Sequence, residues 1–272
     1  MNRYANRCVV AAVIALSGLG GACAAQAPSA MRVTAATPAG FLGSGALQTL
    51  VDAVPPPPAE GSPGALADAA ASERLRALED TDRWTLATRH AELRPAIAVA
   101  HFDCVVGAQL TAEATPSLVA LLDRVLVDAN AAAELGKARA FRPRPVGVDA
   151  GRRSCQVVSA AGRASASYPS GSASVGAAYG EVFARLAPER AAEAREMGRQ
   201  IGISRLVCAM HYPSDVEAGR ALGIAVVAAE ATDPAFAPAI DAARADLDRA
   251  RATGLTSPAC AAERLALATP LP

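Results

Sequence analysis

The sequence predicts an all-α protein, built as a single helical bundle, and three observations predict it. Apolar residues recur at helical spacing through most of the chain, and no segment alternates for long like a half-buried strand. The composition is 52% hydrophobic but only 4% aromatic and rich in alanine, which suits closely packed helices better than a sandwich. Helix starts are marked by prolines at the first helical position, at Pro116, Pro188 and Pro213. The 272 residues leave room for one large domain or two small ones. The formal charge is zero, so a general nucleic-acid binder is not expected, and an anion site must come from a local concentration of charge.

Residues 1–24 read as a signal peptide. Asn2 to Arg7 is a basic segment, Cys8 to Leu19 an apolar one, and Ala22-Cys23-Ala24 a small-residue cleavage site. A lipoprotein processed at Cys23 and an N-terminal anchor are the alternatives. Nothing later approaches the ~20 apolar residues of a spanning helix, and the mature protein is expected to be periplasmic or secreted. Such a compartment is oxidising, and removing Cys8 and Cys23 leaves Cys104, Cys155, Cys208 and Cys260. Four cysteines permit three pairings; the one taken forward joins Cys104 to Cys260 and Cys155 to Cys208.

Residues 25–62 read as an Ala, Pro and Gly-rich leader, flexible up to Gly45, with a short polyproline II element at Val54 to Pro58. Residues 63–272 form the helical domain. One helix is expected from Ala65 to about Glu92, carrying Leu66, Leu75, Leu78 and Leu86, and a second from Pro95 to Val106. After Thr115-Pro116, Leu118, Leu121, Leu122, Val125 and Leu126 give the strongest amphipathic pattern in the chain, leading toward Lys137. Pro143 to Tyr168 reads as a long active-site loop. Val175, Tyr179, Val182, Phe183 and Leu186 mark a helix whose N-terminus follows a Ser-Gly turn. The next helix, opened by Pro188, buries Ala194, Met197, Ile201, Arg205 and Cys208. Pro213 to about Glu230 is a helix with His211 at its mouth and Asp215 in its first turn. A last helix starts at Thr232-Asp233-Pro234 and turns Phe236, Ile240, Ala243 and Leu247 inward.

The chemistry concentrates between Lys137 and Asp215. Lys137 is the only lysine among 26 Lys and Arg, and it stands seven residues before Arg144-Pro145. Arg205 on an apolar stripe needs a carboxylate or an anion, because an unpaired buried charge is costly; with Lys137 and Arg144 in the same stretch, the anion is expected. Fixed cations and backbone N–H groups bind the oxygens of a phosphoryl group, and a His with a carboxylate four residues on supplies an oriented imidazole. The ligand so implied is a small phosphorylated substrate or inorganic phosphate. None of the cysteines has metal-ligand spacing.

Lys137 to Arg144-Pro145, Pro169-Ser170-Gly171, and Ser204-Arg205 to His211 to Asp215 together resemble a phosphatase signature. Bacterial class A non-specific acid phosphatases, type 2 phosphatidic acid phosphatases and vanadium haloperoxidases share it. Four prolines before the first helix, Tyr168 before Pro169 and the run Gly202 to Cys208 resemble the class A branch most. The resemblance, over roughly Val54 to Arg251, implies a helical bundle of that type and a phosphomonoesterase using a phosphohistidine and no metal or other cofactor. It implies that His211 attacks phosphorus, that Asp215 orients it, and that Lys137, Arg144, Ser170, Gly171 and Arg205 hold the phosphoryl oxygens. Ser172 stands where the signature has the histidine that protonates the leaving oxygen, and Ala138, Arg139 and Ala140 replace the usual residues after the lysine. Serine does not ionise near neutral pH, so turnover is expected to be restricted to good leaving groups. The rivals are a phosphate-binding pseudophosphatase and a vanadate-dependent haloperoxidase. A homo-oligomer is compatible with the sequence.

Overall fold

In the computed structural model, residues 39–272 are described; the signal peptide read at residues 1–24 lies outside them. The expected leader is not featureless. Residues Ser44–Asp52 form helix α1, with Leu47 and Val51 buried. Ahead of it, Phe41 sits in the main core, its amide donating to the Asp128 carboxylate at 2.6 Å and its ring lying 3.5 Å from the Arg124 guanidinium. The helical body therefore starts well before residue 63. Its anchoring is both apolar, with Phe41 against Phe236 at 5.2 Å, and polar, through Asp128 and Arg124.

The single helix expected from Ala65 to Glu92 is two, α2 (Pro63–Arg74) and α3 (Asp82–His90), joined by a 3-10 turn at Leu75–Leu78. Asp80 takes a positive φ of 62°, and Thr81 caps α3 by accepting the Trp84 N–H, so the chain breaks and restarts there. Leu66 faces solvent. The expected helix from Pro95 likewise divides into α4 (Pro95–Ala98), a 3-10 turn and α5 (Asp103–Val106).

The amphipathic run after Thr115 forms α6 (Pro116–Arg139), burying Leu118, Leu121, Leu122 and Val125. The long loop carries two short helices, α7 (Pro145–Val148) and α8 (Ala160–Ala164). Helix α9 (Gly171–Leu186) is buried along nearly its whole length and packs against α6, α10 (Ala191–Val207), α11 (Pro213–Glu230) and α12 (Phe236–Ala252). A further helix not expected from the sequence, α13 (Cys260–Ala268), lies against α3. The described residues contain no strand, and none of their helices is long and apolar enough to cross a membrane.

Glycines let α9 meet its neighbours closely. A Cβ at Gly219 on α11 would lie 2.2 Å from the Ser170 carbonyl oxygen, and one at Gly198 on α10 would lie 2.5 Å from the Gly176 carbonyl oxygen. Both backbones can pass only without side chains. The cysteines pair as Cys104–Cys260 and Cys155–Cys208, with Cα–Cα separations of 5.4 and 4.8 Å. The first ties α13 to α5, and the second ties the loop before α8 to the end of α10.

Candidate active site

Four helix ends converge on one cavity of about 310 Å³. Lys137 comes from the last turn of α6, Gly171 and Ser172 from the first turn of α9, Arg205 from the last turn of α10, and His211 from the segment entering α11. Arg144, just before α7, completes the set, with Asn130 and Gln156 as further polar walls and Leu93, Leu126, Val175 and Met210 as apolar ones.

Arg205 is buried at 3% exposure, and only one of its nitrogens is engaged, Nη2 donating to Gln156 Oε1 at 2.7 Å. Its Nε and Nη1 are buried without a protein partner among the described residues. Burial, helped by nearby Arg144, pulls its pKa down to about 10, so it remains a cation at any physiological pH. A buried cation with two idle donors is unfavourable unless an anion completes it. Among the described residues no carboxylate pairs with Arg205, so these two donors are open to an acceptor.

Helix α9 adds backbone donors. Ser170 is its N-cap: the Oγ accepts the Ala173 N–H, and the Ser174 N–H closes the first helical bond onto the Ser170 carbonyl. The amides of Gly171 and Ser172 are left without a protein acceptor among the described residues. Helix N-termini of this kind favour anions. Ser170 itself is fully buried and is not a wall of the cavity; its amide donates to the Asp215 carbonyl at 2.9 Å. Lys137 places its Nζ 3.6 Å from a Cβ built on Gly171 and is paired with Glu134 at 2.5 Å.

His211 is buried at 3% exposure. Arg144 Nη1 lies 3.1 Å from its Nε2. A guanidinium is always protonated, so this bond makes Nε2 the acceptor and leaves the ring proton on Nδ1. Burial above all, against the pull of Asp215 and helped by the charges of Arg144 and Arg205, brings its pKa down to about 4. The ring is neutral at ordinary pH, with its Nε2 lone pair beside the cationic wall.

Sequence reasoning placed Asp215 directly against this ring. The structure puts them 3.8 Å apart, with the Ser167 hydroxyl between: 3.2 Å from His211 Nδ1 and 2.6 Å from Asp215 Oδ2. Asp215 is also the capping carboxylate of α11, accepting the Tyr212 N–H at 2.8 Å, and it takes Arg142 Nη1 at 2.5 Å. Burial works against its ionisation, but the nearby His211 ring and the donors Ser167 and Tyr212 prevail and hold its pKa below the ordinary value. Arg142 continues to Asp68 of α2 at 2.7 Å and packs over the Tyr212 ring.

Ser167, Arg142, Asp68 and Gln156 were assigned no role from the sequence. Arg142 lies in the segment already singled out and could have been found there. Asp68 and Gln156 carry no local signal, because each is brought in by packing from a separate segment. Ser172 is half-buried in the cavity wall, as expected of its place in the motif. His90 and His101 are buried behind the cavity, where their rings stack edge-on at 5.1 Å and His90 Nδ1 meets Ser204 Oγ at 2.9 Å. Neither forms part of its walls.

The pattern of the PAP2 superfamily matches residues 117–235, which include every polar wall of this cavity. An acid phosphatase of Zymomonas mobilis subsp. mobilis is 33% identical over 204 residues, 74% of this chain and 76% of its own. A non-specific acid phosphatase of Salmonella typhimurium is 31% identical over 197 residues, 72% of this chain and 78% of its own. One from Providencia stuartii is 31% identical over 185 residues, 67% and 74% of the two chains.

Proposed function

The chain belongs to the PAP2 superfamily and is homologous to bacterial non-specific acid phosphatases; on that footing we propose that it hydrolyses phosphomonoesters by attack of His211 on phosphorus. The observation that carries this reading is Arg205, a buried cation with two idle donors, set in one cavity with the neutral His211 ring. Lys137, Arg144, Arg205 and the amides of Gly171 and Ser172 hold the equatorial oxygens and stabilise the charge that builds on them in the transition state. Arg144 gives up its bond to Nε2 when it turns to the phosphoryl group, and the freed lone pair forms the N–P bond as the ester P–O bond breaks. The electron pair of that bond leaves on the ester oxygen. Water then attacks phosphorus, the N–P electrons return to Nε2, one water proton passes to solvent, and inorganic phosphate carrying the other is released.

No acid serves the leaving oxygen. Ser172 stands in the signature's histidine position, and its hydroxyl does not ionise near neutral pH. Removing a general acid typically lowers a rate by ~10²–10⁴. Aryl and acyl phosphates, whose leaving groups are stable as anions, are therefore the substrates, and alkyl monoesters are poor ones. The basic and apolar N-terminal segments support a periplasmic or secreted protein.

The same lack of an acid favours a second reading, a protein that holds phosphate without turning over esters. Binding of inorganic phosphate by calorimetry and turnover of p-nitrophenyl phosphate separate the two. The hydrolase reading expects Arg205→Ala to weaken phosphate binding by about 10- to 100-fold, the worth of a charged hydrogen bond. It expects His211→Ala to abolish turnover while still binding the anion. Phosphate binding with no turnover in the natural protein supports the binder. Full phosphate affinity in Arg205→Ala contradicts both.

A further inference from the structure

We propose that Ser167 is a positioning residue that fixes the tautomer of His211 while phosphate occupies the cavity; this rests on the hydrolase reading for the role of the ring. Nucleophilic Nε2 must be bare, so the single ring proton must stay on Nδ1. In the empty site Arg144 enforces that by donating to Nε2 at 3.1 Å. Ser165, Met210 and Ala166 hold the rest of the guanidinium; once its remaining Nη1–H turns to a phosphoryl oxygen the hold on Nε2 ends, and the tautomer then depends on whatever faces Nδ1.

The group nearest Nδ1 is Ser167 Oγ, at 3.2 Å, with the Asp215 carboxylate beyond at 3.8 Å. The direction of this chain of bonds is determined. A hydroxyl has one proton, and the Asp215 carboxylate 2.6 Å away is a stronger acceptor than the Met210 carbonyl at 3.3 Å. Ser167 therefore donates to Asp215, and its lone pairs accept the Nδ1–H of His211. A hydroxyl whose proton is held by a carboxylate is a better acceptor than a free one. Ser167 is fully buried, so water does not compete for its place.

Asp215 is poorly placed to replace it. Its oxygens already receive Arg142, Ser167 and the Tyr212 amide, and as the cap of α11 it is tied to the helix backbone. The serine serves as the link between a stationary carboxylate and the ring.

The test is ¹⁵N NMR of the His211 ring with and without saturating inorganic phosphate, in the natural protein and in Ser167→Ala, alongside kcat/KM on p-nitrophenyl phosphate. The natural protein is expected to show the Nδ1–H tautomer in both states. Ser167→Ala is expected to keep it when empty, through Arg144, and to become a mixture of tautomers with phosphate bound. Phosphate affinity should be unchanged and kcat/KM about 10- to 100-fold lower, the usual effect of losing the partner that orients a functional histidine. A clean Nδ1–H ring in phosphate-bound Ser167→Ala overturns the proposal, since Asp215 would then suffice. Should the alanine variant fail to fold, Ser167→Cys, of similar size and a weak acceptor, is expected to give the same mixture, and a clean Nδ1–H ring there overturns it equally. The ring readout needs no turnover: a natural protein that binds phosphate on an Nδ1–H ring without cleaving esters contradicts the hydrolase reading and leaves the serine's role standing.

Discussion

For the proposed attack the His211 imidazole must be neutral, and its surroundings keep it so far below the usual histidine range. Burial and two guanidinium neighbours bring the pKa down to about 4. The group loses its nucleophilic form only as pH falls through that value. The acid limb of kcat/KM against pH should lie near pH 4, and a limb near the ordinary histidine value of about 6.5 contradicts the burial described. On the proposed reading, burial first, and then the cations meant for the substrate, permit work in acid. Lys137, Arg144, Arg205 and His211 were legible in the sequence because charge type and spacing along single segments identify them. The Ser167 link was not, because a neutral hydroxyl has no charge signature and gains meaning only when Asp215 and His211 close around it. Arg205 was legible by a physical contradiction, a cation on an apolar stripe, which the structure leaves with idle donors.

Among the elements, the contact between α9 and α11 positions the chemistry most directly. The Ser170 amide bonds to the Asp215 carbonyl, and Gly219 passes the Ser170 carbonyl with no room for a side chain. A methyl group there must push α11 away, carrying Asp215 and the His211 segment with it. Gly219→Ala should lower stability by about 1–3 kcal/mol, as overpacking does, and lower kcat/KM beyond what the lost folded fraction explains. Chemical denaturation and kinetics on one preparation check this; unchanged activity in a folded Gly219→Ala variant would show that the crossing does not set the site. The long helices α6, α9, α10 and α11 were readable from their periodic apolar faces, and α6 and α11 also from their proline starts; Pro188 opens a 3-10 turn before α10 rather than α10 itself. The breaks near Asp80 and within residues 95–106 were missed, since each is a short turn inside a stretch whose apolar residues keep helical spacing. The short α1 escaped notice because it lies within an Ala, Pro and Gly-rich leader, although Leu47, Leu50 and Val51 fall at helical spacing.

Across the whole molecule, buried ionisable groups make stability depend on pH in a direction that can be worked out. Glu230 is fully buried beside Asp128, and burial, with that neighbouring carboxylate, raises its pKa to about 9 from the model-peptide 4.5. The folded state therefore keeps a proton that the unfolded chain releases above about pH 4.5. This makes stability greatest below that pH and reduces it progressively as pH rises toward 9, by about 3 kcal/mol at pH 7. Glu230→Gln, which cannot ionise, should melt higher than the natural protein at pH 8 and show little difference at pH 4. A melting difference independent of pH would mean that Glu230 is not held protonated. On the proposed reading, the described residues of the bundle bring a phosphate cradle and a neutral nucleophile to one cavity without an acid for the leaving group. The most direct measurement of that claim is log kcat/KM against leaving-group pKa for a series of aryl and alkyl phosphates, in the natural protein and in Ser172→His. A steep negative slope that flattens in the variant, with alkyl esters gaining up to ~10²–10⁴, is the predicted result. A flat line in the natural protein would mean that another group already delivers the proton, and would contradict it.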